Sequence, residues 1–131
     1  MVEKDARNDG KTARILVIDD EHDVADTFGF LLETFKATVR KAYDGPAGVA
    51  AVDEFEPDLI FLDIGMPGVD GYETARRIRS DHHKRQFILV ALTGWGQNED
   101  RRRAQEAGFD LHLTKPISIE ALEALLERVG T

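Results

Sequence analysis

A few polar residues in this sequence gain their interest from where they fall. Asp19-Asp20-Glu21 ends the apolar run Ile15-Leu16-Val17-Ile18, and Asp63 ends Leu59-Ile60-Phe61-Leu62. Thr93 follows Phe87-Ile88-Leu89-Val90-Ala91-Leu92, and Lys115 comes shortly after Leu111-His112-Leu113. If these runs are strands of one parallel sheet, their carboxyl ends lie on one edge and the polar side chains converge there. Two carboxylates about 4 Å apart repel by roughly 4 kcal/mol at an effective dielectric near 20. Such a cluster persists only with protons, a cation or a lysine to compensate it. Hard oxygen ligands without His or Cys suit Mg²⁺, which takes one or two carboxylates and keeps several waters. The chemistry such a site favours is phosphoryl transfer. A carboxylate acts as nucleophile and forms an acyl phosphate, while a cation and a hydroxyl stabilise the phosphoryl oxygens. On this reading Asp63 is the nucleophile, Asp19 and Asp20 bind the metal, Thr93 supplies the hydroxyl and Lys115 the fixed positive charge.

The elements that must position these residues are legible in the pattern. Residues 1 to about 12 are polar and aperiodic, which predicts a flexible N-terminal tail or linker, with one domain over 13–131. Arg14–Asp19, Thr38–Ala42, Asp58–Asp63, Phe87–Leu92 and Asp110–Leu113 read as strands. Between them lie amphipathic stretches. The first carries an apolar stripe of Val24, Phe28, Leu31, Leu32 and Phe35. The second starts at Asp44-Gly45-Pro46, carries Val49, Val52 and Phe55, and stops at Glu56-Pro57. Asp70 and Glu73 are spaced as a capping box for a third helix to about Arg79. A fourth helix is expected near Glu99–Ala107, and a fifth after Ser118 with Leu122, Leu125, Leu126 and Val129 inward. Strands alternating with helices imply a parallel sheet covered on both sides, and nearly continuous apolar strands agree with that.

Composition narrows the function classes. At 131 residues with 42% hydrophobic and 32% charged residues, the chain suits one soluble globular domain. It lacks an apolar run long enough to span a membrane, and MVEKDARNDG carries no signal-peptide core. With no cysteine, disulfides and thiolate chemistry are excluded. A net charge of −8, from 17 Lys and Arg against 25 Asp and Glu, disfavours direct binding to nucleic acid. Arg101-Arg102-Arg103 is the basic exception, but Glu99 can pair with Arg103 on a helix, so a solvated face is the simpler reading. His82-His83 reads as the polar end of a helix rather than a metal site. Taken singly, Thr93 could be a turn residue, Lys115 a surface charge and Asp19-Asp20 a helix cap; only the constellation carries the functional reading.

The segments ILVIDDE, DLIFLDIGMPGVDGYE, ALTG and LTKPI resemble the receiver domain of two-component response regulators, over about residues 14–129. The resemblance implies a flavodoxin-like (βα)5 doubly wound α/β fold, a five-stranded parallel sheet of order 2-1-3-4-5. It implies Asp63 as phosphoacceptor, Asp20 as a direct Mg²⁺ ligand, Asp19 acting through water, and the Gly65 carbonyl completing the metal shell. Thr93 and Lys115 would hold the phosphoryl oxygens, and Lys115–Pro116 would be cis. The donor would be a phosphohistidine on a histidine kinase or histidine phosphotransfer protein in the cytoplasm. The chain would catalyse only its own phosphorylation and dephosphorylation, and would signal to a downstream protein of unknown identity through the fourth helix, fifth strand and fifth helix. No effector domain follows Thr131, so a stand-alone regulator, a phosphate shuttle and a hybrid-kinase receiver all remain open. The wording ALTGWGQNEDRRRAQEAGFDLHLTKPI is most similar to hybrid-kinase receivers.

Three positions depart from the family's usual residues. His112 stands two before Thr114, where a Tyr or Phe normally turns inward as the threonine switches. An imidazole can turn likewise but changes charge near neutral pH, which implies weaker or pH-dependent coupling. Gly65 and Trp95 stand two residues after Asp63 and Thr93, where they would tune the lifetime of the phosphoryl group. Two other classes compete. An aspartyl-nucleophile phosphatase would need a cap insertion, and the stretch from Asp63 to Asp70 offers none. A flavin binder would need a first strand-to-helix turn rich in Gly, Ser and Thr amides, not an acidic one.

Overall fold

The computed structural model of the chain describes residues 13–65, 71–81, 86–94 and 101–129. The expected tail over residues 1–12 lies outside them, as do the readings placed on Asp70, His82, His83, Trp95 and Glu99. Five strands alternate with five helices: β1 Arg14–Ile18, α1 His22–Thr34, β2 Thr38–Ala42, α2 Gly45–Phe55, β3 Leu59–Asp63, α3 Gly71–Asp81, β4 Ile88–Thr93, α4 Arg101–Ala107, β5 Leu111–Thr114 and α5 Ile119–Arg128. All pairings are parallel, and the sheet order is β2-β1-β3-β4-β5, as the resemblance implied. The expected elements form within a residue or two of their predicted bounds, the usual uncertainty of helix and strand ends.

The three central strands are almost entirely apolar because alternate residues serve two cores. Leu16, Ile18, Ile60, Leu62, Leu89 and Ala91 meet α2, α3 and α4 through residues such as Val52, Phe55 and Ile78. Ile15, Val17, Leu59, Phe61, Val90 and Leu92 meet α1 and α5 through Leu32, Leu122 and Leu126. Fully burying each such side chain contributes about 1.5–3 kcal/mol before entropy is counted. The edge strands are treated differently. Thr38, Arg40 and Lys41 of β2 are exposed, as are His112 and Thr114 of β5, which blunts both edges against further strand pairing.

The stripe expected on α1 is corrected in one respect. Ala25, Gly29 and Leu32 lie deepest, Phe28, Leu31 and Phe35 are partly buried, and Val24 is 39% exposed. Gly29 lets the helix come close to the Val39 and Lys41 side chains of β2, while Leu32 is fully buried in the core. At α2 the Asp44 carboxylate accepts the Ala47 amide (2.7 Å), and Glu56 ends the helix in the left-handed region with φ 53°. Ser118 caps α5 by accepting the Ala121 amide at 3.1 Å. Asp19-Asp20 does not cap α1. Glu21 occupies that position and makes no side-chain capping bond.

The end of the sheet away from the acidic residues is clamped by polar ties. Asp58 accepts the Arg14 amide (2.9 Å), and the Arg14 guanidinium donates to the Phe55 carbonyl while lying over the Phe55 ring. Asp110 accepts both the Leu89 amide (2.8 Å) and the Arg79 guanidinium (2.6 Å).

At the opposite end, α3 begins against bare backbone. A Cβ on Gly71 would come 2.5 Å from Ile64 Cα, immediately after Asp63. Neither segment can yield there without moving the loop that follows β3. Gly29, inside α1, would place its Cβ 3.4 Å from the flexible end of Lys41. Gly71→Ala is therefore expected to cost about 1–3 kcal/mol through overpacking. Gly29→Ala should be neutral or stabilising by about 0.5–1 kcal/mol, because it removes a helix-interior glycine. Urea unfolding of the two variants measures the contrast; equal midpoints would contradict this packing.

Candidate functional site

Strand register brings the carboxylates together. Ile18 pairs with Leu62, so Asp19 and Asp63 stand one step further along neighbouring strands. On the far side Asp63 pairs with Leu92, and Thr93 with Thr114. Asp19 and Asp63 are buried, with relative exposures of 1% and 8%, while Asp20 is half-buried. One carboxylate oxygen from each of Asp19, Asp20 and Asp63 lies within 4.8 Å of the others. Lys115 reaches into the same cluster from the β5–α5 connection. Its Nζ is 3.2 Å from Asp19 Oδ2 and 3.6 Å from Asp63 Oδ2. The Lys115–Pro116 bond is cis.

Each buried carboxylate also accepts an amide from its own chain two residues on. Asp19 Oδ1 accepts from the Glu21 amide (3.0 Å) and Asp63 Oδ1 from the Gly65 amide (2.9 Å). These short turns orient the carboxylates and leave Oδ2 of both facing the lysine. Burial pushes the Asp63 carboxyl above its ordinary range. The Gly65 amide and Lys115 oppose the rise, while the charge and hydrogen bond of Asp19 add to it. Burial thus disfavours the ionised form of Asp63, while the Gly65 amide fixes its orientation.

Charge counting defines what the cluster lacks. Among the described residues, three carboxylates against one ammonium leave two negative charges on a largely buried edge. The donors are all hard oxygens, without His or Cys, which fits Mg²⁺ and fits neither a structural zinc nor a thiolate centre. Thr93 is buried (2% exposed), and its hydroxyl turns toward β5, 3.5 Å from the Leu113 carbonyl and 3.4 Å from Thr114 Oγ1. Both contacts are long for hydroxyl hydrogen bonds, so little energy holds Thr93 in that orientation.

Of the residues singled out from sequence, Asp19, Asp20, Asp63 and Lys115 are brought into one cluster, and Thr93 sits on the next row of the sheet. Gly65 is exposed beside it, contributing its amide to Asp63. His112 is exposed on β5, apart from the carboxylates. Local pattern carries no signal for Thr114 as a neighbour of Thr93, or for Tyr43 and His22 beside the acidic turn. Those pairings cross between strands and helices, and only the register reveals them.

Comparison with known proteins agrees with this architecture. The profile of the response regulator receiver domain matches residues 15–127. RpaA, a DNA-binding dual master transcriptional regulator of Synechocystis sp., is 37% identical over 119 residues, which are 88% of this chain. The chain spans only 49% of RpaA's length. Among solved structures, chemotaxis protein CheY4 of Vibrio cholerae superposes with a TM-score of 0.80 at 25% identity, covering 90% of this chain and 98% of that one. The receiver domain of Ssk1 from Saccharomyces cerevisiae, solved with the histidine phosphotransfer protein Ypd1, gives 0.79 at 28% identity, covering 92% and 90%. The matching profile, the strand order and the clustered carboxylates at the strand ends lead to one conclusion: this chain belongs to the response regulator receiver domain family of two-component signalling.

Proposed function

We propose that the chain is a Mg²⁺-dependent phosphoacceptor switch in which Asp63 takes a phosphoryl group from the phosphohistidine of a histidine kinase or histidine phosphotransfer protein. The observation that carries this reading is the juxtaposition of Asp19, Asp20 and Asp63 with Lys115 at the carboxyl edge of the sheet. The carboxylates of Asp19, Asp20 and Asp63, with the Gly65 carbonyl, would hold Mg²⁺. When bound, the ion neutralises charge on the cluster and on the equatorial phosphoryl oxygens.

The chain's own residues account for the rest. The Gly65 amide fixes one oxygen of Asp63 and leaves the other to attack phosphorus. As the new P–O bond forms, the P–N bond to the donor imidazole breaks, and the ring, already protonated on its other nitrogen, leaves as neutral imidazole. Lys115, already between Asp19 and Asp63, can follow the charge as it moves outward onto the phosphoryl group. Thr93, weakly held toward β5, can turn to donate its hydroxyl to a phosphoryl oxygen. Phosphorylation adds about −1.5 to −2 charge, and the movement of Thr93 would pass to His112 and the surface of α4, β5 and α5. A downstream protein would read that surface.

Two outcomes test this reading. Incubation with acetyl phosphate and Mg²⁺ should add one phosphoryl group by intact mass, lost in Asp63→Asn and on removing Mg²⁺ with EDTA. An unmodified wild-type mass would contradict it. The second concerns stability. The folded state raises the Asp63 pKa, so Asp63 favours folding only while protonated, and that contribution is lost as pH rises through the raised value. Asp63→Asn should therefore stabilise the metal-free protein near pH 7 by about 1 kcal/mol, a few degrees in Tm. The gain should shrink toward zero as pH falls below about 4, where the unfolded carboxyl also protonates. A destabilised Asp63→Asn protein at neutral pH would contradict the assignment of strain to this carboxylate.

A further inference from the structure

The acidic turn lies between two tethers, and only one of them is backbone. The Asp19 amide donates to the Ala42 carbonyl at the end of β2 (3.0 Å), fixing where the turn begins. Its far side runs directly into α1, whose capping residue Glu21 makes no side-chain capping bond. Helix starts without such a bond are less stable. Here the missing anchor is supplied from β2. The residue after Ala42 is Tyr43, whose ring stacks on His22, the first residue of α1, with centroids 3.7 Å apart and planes 9° from parallel. The Tyr43 hydroxyl donates to Asp26 Oδ1 (2.9 Å), one turn further along the same helix face. Lys41 meets the same oxygen at 3.3 Å. Tyr43 thus grips positions i and i+4 at the start of α1, while the strand just before it holds the start of the acidic segment.

We infer that Tyr43 is a positioning residue for the metal-binding turn. By clamping His22 and Asp26 it fixes the first turn of α1, and so the orientation in which Asp19 and Asp20 meet Asp63. The inference rests on the proposed Mg²⁺ site. The hydrogen bond is one that both partners register. Asp26 is held below the ordinary carboxylate range, first by the Tyr43 hydroxyl, and the Tyr43 phenol is raised, first by Asp26. An exposed ion pair alone, such as Lys41 with Asp26, would be too weak and too mobile for this task. A flat ring stacked on the helix start adds buried contact with little entropy to lose. Outer-shell partners that orient metal ligands are commonly worth 10–100-fold in metal affinity, and Tyr43 acts one step further out.

The test uses the full chain without phosphodonor. Mg²⁺ affinity is measured by titration calorimetry, and amide hydrogen exchange of residues 19–26 is followed in the metal-free protein. Tyr43→Ala should weaken Mg²⁺ binding about threefold to tenfold and speed exchange in that segment. Tyr43→Phe keeps the stacked ring and should stay within about twofold of wild type in affinity. Leu59→Val, a buried change at the opposite end of β3, should lower stability without moving Mg²⁺ affinity. Wild-type affinity in Tyr43→Ala overturns the inference, as does weakened binding without faster exchange. So does Leu59→Val weakening Mg²⁺ as much as Tyr43→Ala, since general destabilisation would then explain the effect. A Tyr43→Phe protein as impaired as Tyr43→Ala overturns the role given to the stack. Failure of the wild type to bind Mg²⁺ overturns the site reading and this inference together, whereas normal wild-type binding with an unaffected Tyr43→Ala overturns this inference alone.

Discussion

The repulsion among Asp19, Asp20 and Asp63 is the constraint around which this protein is organised. One lysine, 3.2 Å from Asp19 and 3.6 Å from Asp63, cannot neutralise three carboxylates on a largely buried edge. The fold tolerates that imbalance because its own cohesion lies elsewhere. Two apolar cores sandwich the sheet, and the ties at Asp58 and Asp110 clamp the opposite end. The acidic edge is left under stress, and a group under stress is one that a cation or a phosphoryl group can relieve.

That arrangement links stability to function. A buried carboxylate with a raised pKa works against folding at neutral pH, yet in the proposed phosphoacceptor role the same desolvation would favour its attack on phosphorus. The short turns from Glu21 and Gly65 onto Asp19 and Asp63 spend backbone donors on orientation rather than on helix or strand. Thr93 illustrates the complementary device. Its hydroxyl is parked on β5 by contacts of 3.4 and 3.5 Å. A buried hydroxyl held so loosely can change partner at little cost when a stronger acceptor arrives. Rigid carboxylates and a loosely held threonine suit the proposed switch, which must capture a phosphoryl group and respond to it.

Much of this was legible in the residues themselves. Asp19, Asp63 and Thr93 end apolar runs, and the period of those runs implied a parallel sheet with its strand ends on one edge. The helix starts at Asp44 and Ser118 were equally plain, because side-chain capping is local chemistry. What the sequence hid was lateral. The apolar stripe of α1 pointed to Val24, but packing against β2 favoured Ala25 and Gly29, since close approach rewards small residues that a hydrophobicity pattern undervalues. Asp19-Asp20 looked suited to capping α1, yet Asp19 turns onto the Glu21 amide and joins the cluster instead. The grip of Tyr43 on His22 joins residues whose proximity depends on β2 lying beside β1, which local pattern does not encode.

The central claim is that the acidic edge is incomplete without a divalent cation. The measurement that meets it most directly is thermal unfolding of the phosphate-free wild-type protein at pH 7 across a Mg²⁺ titration. Binding to the folded state alone must raise Tm as the ion concentration passes its dissociation constant. The account predicts a rise that, above the dissociation constant, grows with the logarithm of Mg²⁺ concentration at the slope of one ion per chain, and that is abolished in Asp20→Asn. A Tm indifferent to Mg²⁺, or an equal rise in Asp20→Asn, would contradict it.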